Sequence, residues 1–178
     1  MISIDKVIKS FKHELKEIYS FSEIIAIIEI VFEHFLDFTK TDLILKVNQT
    51  ITDIEFDKIN NILLRLKKHE PIQYIIGETF FYNLKLKITP AVLIPRQETE
   101  ELADWIIKEN KEKEALKILD IGTGSGCIAI SLAKYITNSE VTAIDVSKEA
   151  LIIAEGNARK NQTIIRFIED DILNINTI

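Results

Sequence analysis

The sequence has little of three features that separate large classes of protein. Its one cysteine, Cys127, allows no disulfide within the chain, which favours a reducing compartment. Its three prolines are isolated from one another. Its most apolar run, residues 24–32, is interrupted by Glu29 and is too short to cross a bilayer. The N-terminus carries a charge every few residues, unlike a signal peptide. We therefore expect a cytoplasmic protein without a membrane partner.

Positive charge is scarce in the second half of the chain. Residues 96–178 carry 10 Lys and Arg against 15 Asp and Glu, which is −5 of the total net charge of −6. Nucleic-acid binding requires a basic face, so we expect no direct nucleic-acid partner. The three histidines stand far apart and have no cysteine cluster beside them, so we expect no metal site.

Residues 1–71 predict a small helical bundle. Apolar residues recur at spacings of three and four over four segments, residues 3–19, 22–37, 40–47 and 52–69. Ser3 and Ser22 are the predicted N-caps of the first two helices. Thr52, followed three residues later by Glu55, predicts a capping box at the start of the fourth.

The pattern changes after the bundle. Residues 72–95 predict a β-hairpin connector, because aromatic and alternating residues flank Asn83. A helix over residues 97–109 follows. Strands at 116–121, 140–145 and 163–168 then alternate with helices at 125–135 and 148–160. Strands separated by helices indicate a parallel sheet, so the predicted class is α/β, with the sheet domain over residues 96–178.

A glycine-rich turn between the first parallel strand and its helix is the clearest functional signal. Gly122, Gly124 and Gly126 are three of the five glycines in the chain. Such a turn lets the backbone approach a ligand where a side chain would obstruct it. Asp120 precedes the turn, and Asp145 ends the next strand. An acid at that second position can accept hydrogen bonds from ribose hydroxyls.

The residue types at the turn leave more than one ligand open. A dinucleotide fingerprint requires a glycine three residues after Gly124, where this chain has Cys127, which argues against a nicotinamide- or flavin-linked oxidoreductase. Cys127 itself is either a thiol whose pKa a helix N-terminus lowers or, as we favour, a small core residue. A non-catalytic module that binds a protein partner is the remaining alternative.

Two motifs carry a resemblance to a known family. Asp120-x-Gly122-x-Gly124-x-Gly126 resembles motif I of the S-adenosylmethionine-dependent methyltransferases with a Rossmann-like sheet. The block I-P-R-Q-E-T-E-E-L at 94–102, which follows the hairpin, is similar to the HemK family of protein-glutamine methyltransferases. The resemblance spans essentially the whole chain. It implies S-adenosyl-L-methionine as cofactor and methyl transfer to the glutamine side-chain amide in the Gly-Gly-Gln motif of peptide-chain release factors.

The resemblance also implies roles for individual residues. Asp171 would accept a hydrogen bond from the adenine amino group, with Asp170 as the competing candidate, and Ile172 would cover the ring. The full set implied for the cofactor is Asp120, Gly122, Thr123, Gly124, Ser125, Gly126, Asp145, Asp171, Ile172 and Phe81. Arg96, Thr99 and Glu100 would lie on the substrate side. The helical domain, 1–71, would help to hold the release factor.

The sequence departs from the family pattern in three places. Gln97 replaces a proline, and Ile172 replaces a residue that is often aromatic. The Asn-Pro-Pro-Tyr motif that holds the substrate amide is not in the sequence, which has no two adjacent prolines. We therefore assign no catalytic residue. We expect about half of the family's sheet, with its first strand unpaired on one side, weak cofactor binding and no methylation by this chain alone. The complete protein is expected to be a monomer.

Overall fold

A computed structural model describes residues 1–113 and 115–174. The tertiary contacts divide the chain into two compact units, residues 1–76 and a second unit that begins at Gly77. Within the described residues, no helix is long and apolar enough to cross a membrane.

The first unit is helical, as predicted for residues 1–71, with one short antiparallel ribbon in which Ile2 pairs with Ile51. Two-residue strands are too short to leave a periodic signal, so the sequence did not predict this ribbon. Residues 72–76, predicted as the start of the hairpin connector, form a further short helix of this unit, because Ile72 is buried in its core. The elements are β1 (Ile2–Ser3), α1 (Ile4–Leu15), α2 (Phe21–Leu36), α3 (Lys40–Leu45), β2 (Thr50–Ile51), α4 (Asp53–Leu66) and α5 (Ile72–Ile76).

One apolar core holds the first unit together. Phe11 from α1 and Phe32 from α2 are its largest fully buried side chains. The helices α1, α2 and α4 each bury a stripe of side chains at the predicted spacings of three and four, whereas α3 has no buried residue. The buried residues are Ile4, Val7, Phe11, Leu15, Ile24, Ile27, Ile28, Val31, Phe32, Ile51, Ile59, Ile62, Leu63, Leu66 and Ile72.

The helix starts of this unit confirm two of the three predicted caps. The Ser3 hydroxyl accepts a hydrogen bond from the Lys6 amide, and Thr52 forms a full capping box with Glu55. The prediction of Ser22 as the cap of α2 was wrong. Ser20 is the N-cap, because the glutamate that completes a capping box must lie three residues on, and Glu23 occupies that position.

The second unit combines a hairpin, three helices and a parallel sheet, as predicted. The hairpin strands pair antiparallel, from Glu78 opposite Lys87 to Phe81 opposite Leu84. The elements are β3 (Glu78–Phe81), β4 (Leu84–Lys87), α6 (Gln97–Asn110), β5 (Lys117–Ile121), α7 (Cys127–Tyr135), β6 (Glu140–Asp145), α8 (Lys148–Lys160) and β7 (Arg166–Glu169).

The sheet is parallel, as predicted, and its strand order is β5-β6-β7. Ala129 and Ala133 of α7 pack on one face of the sheet, against the side chains of Ile118, Val141 and Ala143. On the opposite face, Leu119 and Ile121 of β5 are 50% and 49% exposed. Within the described residues, β5 pairs with β6 only.

The hairpin turn is made by two non-glycine residues with positive φ. Tyr82 and Asn83 have φ of 47° and 61°, the region that a two-residue type I′ turn requires. A tyrosine there costs about 1–2 kcal/mol. Three contacts offset that cost. The Tyr82 amide donates to the Glu100 carboxylate, its hydroxyl donates to Asp104 at 2.9 Å, and its ring meets the Tyr135 ring edge-on at 5.0 Å.

The capping box of α2 can be tested by comparing two neighbouring serines. We expect Ser20→Ala to lower the free energy of unfolding by about 1 kcal/mol, because the Glu23 amide loses its acceptor. Ser22→Ala, inside the first turn, should change it by less than about 0.5 kcal/mol. Urea denaturation followed by circular dichroism measures both. Equal losses would show that Ser20 is not the cap.

Candidate functional site

The glycine turn lies where β5 passes into α7. Gly122, Gly124 and Gly126 have φ of 73°, 54° and 80°, all in the region that favours glycine. Gly126 is the N-cap of α7, so the helix begins at Cys127 and not at residue 125 as predicted. The turn projects beyond the carboxyl ends of β5 and β6, the edge where open α/β sheets bind ligands.

Most backbone amides of the turn donate hydrogen bonds to the turn itself or to β6. The Gly122 and Thr123 amides both donate to the Ile144 carbonyl, at 2.8 and 3.0 Å, and the Gly126 amide donates to the Thr123 carbonyl at 2.8 Å. The Gly124 amide donates to the Asp145 carboxylate. The shape of the turn is therefore set by its own hydrogen bonds. A ligand would recognise the shape and the charge of the turn rather than free amide groups.

Asp145 is the anchor of the turn on the β6 side. One carboxylate oxygen accepts from the Gly124 amide at 2.8 Å, and the other accepts from the Ser147 amide at 2.9 Å. The second bond lies at the N-terminus of α8, where negative charge is favourable. Two carboxylate oxygens offer about four acceptor positions, so these two bonds leave acceptor capacity on the side chain.

Asp120 lies below the turn at the end of β5. Its carboxylate accepts from the Thr123 hydroxyl at 2.7 Å. Burial raises the pKa of Asp120, and the nearby charge of Asp145 raises it further, while the Thr123 hydroxyl and the Ala129 amide lower it. Burial is thus the main cause of the raised pKa, and the charge of Asp145 adds to it. A cation bound between them would relieve their repulsion.

The three glycines of the turn have different surroundings and therefore different structural roles. A side chain at Gly122 or Gly124 would meet nothing within 4 Å, so open space adjoins the turn at both positions. At Gly126, a Cβ would lie 2.9 Å from the Ile130 Cδ1 and 3.2 Å from the Ala154 Cβ. Gly126 is therefore required for the close packing of α7 on α8, and the other two glycines leave room for a ligand.

Cys127 is a core residue and no reactive thiol. It is buried at the first position of α7, and burial raises its pKa to about 11. Of the two roles considered for Cys127, the structure supports the small packing residue and not the helix-activated thiol. The thiol stays protonated at neutral pH, because its desolvation exceeds the benefit of the helix N-terminus.

The acids after β7 hold their own loop. The Asp171 carboxylate accepts from the Leu173 amide at 3.0 Å and from the Asn174 side chain at 2.6 Å. Asp170 accepts from the Asp171 amide. The Asp170 amide in turn donates to the Asp145 carbonyl at 3.1 Å, which ties this loop to the end of β6. Ile172 beside them is exposed.

The remaining predicted site residues lie on the hairpin and on α6. Phe81 is 2% exposed and faces the interior, whereas its neighbour Phe80 faces solvent. Arg96 is the exposed N-cap residue of α6, and Thr99 is half-buried in the first turn. Glu100 accepts from the Tyr82 amide, so its carboxylate supports the hairpin turn.

Asn157, on α8, is a site residue that the sequence analysis missed. It is 1% exposed, and its side-chain amide bonds both the hairpin strand β4 and the glycine turn. The signal that could have revealed it is a lone polar residue on an apolar helix stripe. The other buried residues of that stripe are Ala150, Leu151, Ile153, Ala154 and Ala158.

Metal-ligating side chains do not cluster in the described part of the chain. Neither residues 1–113 nor residues 115–174 contain a group of three or more His, Cys, Asp or Glu placed to hold a metal ion.

Two families match separate parts of the sequence. Residues 6–77 match a family described as PrmC N-terminal domain, and residues 112–178 match one described as methyltransferase domain. Curated relatives are the "Release factor glutamine methyltransferase" of Flavobacterium psychrophilum, 48% identical over 92% of this chain, and that of Lactococcus lactis, 48% identical over 82%. The chain is thus similar to release factor glutamine methyltransferases over most of its length.

The chain spans somewhat more than half the length of these relatives. It covers 58% of the Flavobacterium protein and 54% of the Lactococcus protein. Among solved structures, it is similar to the ribosomal protein L11 methylase of Lactobacillus delbrueckii, with a TM-score of 0.42 and 29% identity. That similarity covers 51% of this chain and 47% of the other.

Because the glycines have different structural roles, we expect their substitution to lower the free energy of unfolding by different amounts. Gly126→Ala should lower the free energy of unfolding by about 2–4 kcal/mol, because a backbone penalty adds to a clash between two packed helices. Gly122→Ala, which meets open space, should cost about 1–2 kcal/mol. Chemical denaturation at constant pH measures the difference. Equal costs would mean that the close approach at Ala154 is absorbed without strain.

Proposed function

We propose that the second unit binds S-adenosyl-L-methionine at the glycine turn, as the cofactor side of a release factor glutamine methyltransferase. The whole reaction would transfer a methyl group to the side-chain amide nitrogen of the glutamine in a Gly-Gly-Gln motif. The single observation that carries the proposal is the open space at Gly122 and Gly124, in a turn to which the carboxylates of Asp120 and Asp145 are both hydrogen-bonded.

The charge at the turn favours this cofactor over a dinucleotide. S-adenosylmethionine presents a cationic sulfonium and an ammonium group, which two neighbouring acids attract. A dinucleotide presents a pyrophosphate, and the raised pKa of Asp120 indicates a site where negative charge is already costly. The position of Cys127 also departs from the dinucleotide fingerprint. The similarity to release factor glutamine methyltransferases and the match to a methyltransferase domain support the same cofactor.

Each predicted contact keeps a definite role in the proposal. Asp145 has acceptor capacity left for the ribose hydroxyls. Asp171 would exchange its bonds to Leu173 and Asn174 for one to the adenine amino group, and Ile172 would cover the ring. Thr123, Ser125 and Gly126 would shape the turn without contacting the cofactor through their side chains. Phe81 would support the site from the hairpin core.

The substrate side is proposed from the family resemblance. Arg96, exposed at the start of α6, is available to a protein partner. Thr99 and Glu100 would set the position of the hairpin turn beside it. The functional division that we propose assigns residues 1–71 to the release factor, 72–95 to a connector and 96–178 to the cofactor.

The chemistry requires orientation more than acid–base catalysis. The bound cofactor supplies an activated methyl group on a good leaving group. An amide nitrogen is a weak nucleophile, so rate would come from holding it in line with the methyl carbon. The sequence contains no Asn-Pro-Pro-Tyr to hold that amide. We therefore propose that the 178-residue chain binds cofactor and does not methylate a release factor unaided.

Cofactor binding can be tested with a pair of glycine variants. Isothermal titration should detect S-adenosylhomocysteine binding to the unmodified chain, and a large excess of NADH should not displace it. Gly122→Ala should weaken binding at least tenfold, because the methyl group enters the open space beside the turn. Gly77→Ala is the matched control, since Gly77 has a similar φ of 82° but lies before the hairpin.

Two outcomes would contradict the proposal. If NADH displaces S-adenosylhomocysteine stoichiometrically, the dinucleotide alternative is favoured. If the chain methylates a release factor at a measurable rate, as read by mass spectrometry of the Gly-Gly-Gln peptide, the division of labour between binding and catalysis is wrong.

The acidity of Asp120 gives a pH-dependent test. Between the ordinary pKa of 3.8 and the raised pKa of the folded protein, Asp120 keeps its proton in the folded state and loses it in the unfolded state. The free energy of unfolding therefore falls as pH rises over this interval. Affinity for the cationic cofactor should change in the opposite direction, because only the ionised carboxylate attracts it. Asp120→Asn should flatten both profiles.

S-adenosylhomocysteine is the matched control ligand for this test, because it lacks the sulfonium charge. Asp120→Asn should weaken S-adenosylmethionine binding more than S-adenosylhomocysteine binding when both are titrated at pH 7. An equal loss for the two ligands would remove the electrostatic role that we give to Asp120.

A further inference from the structure

A buried amide joins the hairpin to the glycine turn. The Asn157 Oδ1 accepts from the Lys87 amide at 2.6 Å, and its Nδ2 donates to the Lys87 carbonyl at 3.0 Å and to the Ser125 carbonyl at 2.9 Å. The side chain thus pairs with β4 as another strand would. The other N–H of the side-chain amide donates to the Ser125 carbonyl in the turn.

The bond to Ser125 fixes a whole peptide unit of the turn. Because a peptide is planar, its C=O and its following N–H point in opposite directions. The Ser125 carbonyl is held by Asn157, and the Gly126 amide of the same peptide is held by the Thr123 carbonyl at 2.8 Å. Neither end of this unit can rotate without breaking a bond. A buried carbonyl without its partner would be costly.

The packing of α7 on α8 places Asn157 close to the turn. Gly126 brings α7 against Ala154, one turn before Asn157 on α8, so the helix lies close enough for a short side chain to reach the turn. The amide is buried, which strengthens its hydrogen bonds relative to those at the surface. Asn161, one turn further along α8, bonds the Lys85 carbonyl of the same hairpin strand.

We propose that Asn157 is a positioning residue that holds the glycine turn in its cofactor-binding shape and couples it to the hairpin. The inference rests on the proposed cofactor function. Loss of the Asn157 amide frees the peptide between Ser125 and Gly126, so the turn must be ordered again when the cofactor binds. Asn161 anchors the hairpin to α8 and has no bond to the turn.

The test compares two asparagine variants of the full chain with S-adenosylhomocysteine as the probe. Asn157→Ala should raise the dissociation constant at least tenfold and should speed hydrogen exchange at the Gly126 amide at least tenfold, as measured by NMR. Asn161→Ala, the matched control, should change both by less than threefold. Exchange at Gly126 in the absence of ligand reports the turn itself and would not respond to a loss of hairpin packing alone.

A second variant and one measurement on the unmodified protein cover the case in which Asn157→Ala does not fold. Asn157→Asp keeps the acceptor for the Lys87 amide and loses both donations, so it should also raise the dissociation constant at least tenfold. In the unmodified chain, the side-chain NH₂ protons of Asn157 should exchange far more slowly than those of Asn161.

The outcomes separate the two proposals. If the unmodified chain does not bind S-adenosylhomocysteine, the proposed function fails, while slow exchange at Gly126 that Asn157→Ala abolishes would still show the positioning role. If the chain binds and the Asn157 and Asn161 variants bind equally well, or if the Asn157 NH₂ protons exchange as fast as those of Asn161, the inference is overturned.

Discussion

The close approach of α7 and α8 at Gly126 is the constraint on which the candidate site depends. Any side chain at this position would collide with Ile130 and Ala154. With glycine there, the two helices pack tightly enough on one sheet face for Asn157 to reach the turn backbone. The position of the turn thus follows from helix packing, and the helix packing follows from a residue without a side chain.

This constraint changes how the glycine motif should be understood. Glycine-rich turns are often regarded as cradles of free amide groups for anions. Here the amides of Gly122, Thr123, Gly124 and Gly126 are already bonded within the protein. What the turn presents is open space at Gly122 and Gly124 and two carboxylates hydrogen-bonded to the turn. Under the proposed function, the same backbone pattern would serve a cationic ligand, because its amides are satisfied within the protein.

The sequence predicted the fold well because most of its signals are local. Periodicity located most helices and strands, and the alternation of strand and helix predicted that the strands form a parallel sheet. The errors arose where two local signals compete. Ser20 and Ser22 are both acceptable caps, and only the position of Glu23 decides between them. The Tyr82–Asn83 turn shows a related limit, since its strained tyrosine is held by Glu100 and Asp104, far along the chain.

The site was less predictable than the fold, because its parts meet only in three dimensions. Asp120, Asp145 and the glycines could be identified from their places at strand ends. Asn157 could not be assigned a function, because its partners lie 70 residues away at Lys87 and 32 residues away at Ser125. A lone polar residue on an apolar stripe indicates that a partner exists without indicating which one.

The two acids of the turn illustrate how structure and ligand preference are coupled. Asp145 is needed to hold Gly124, so it cannot be removed without loosening the turn. Burial raises the pKa of Asp120 nearby, and the charge of Asp145 makes a smaller contribution in the same direction. Under the proposed function, a group that holds the turn together would thus also favour a cationic ligand. A positively charged ligand would return part of the electrostatic cost of keeping two carboxylates close together.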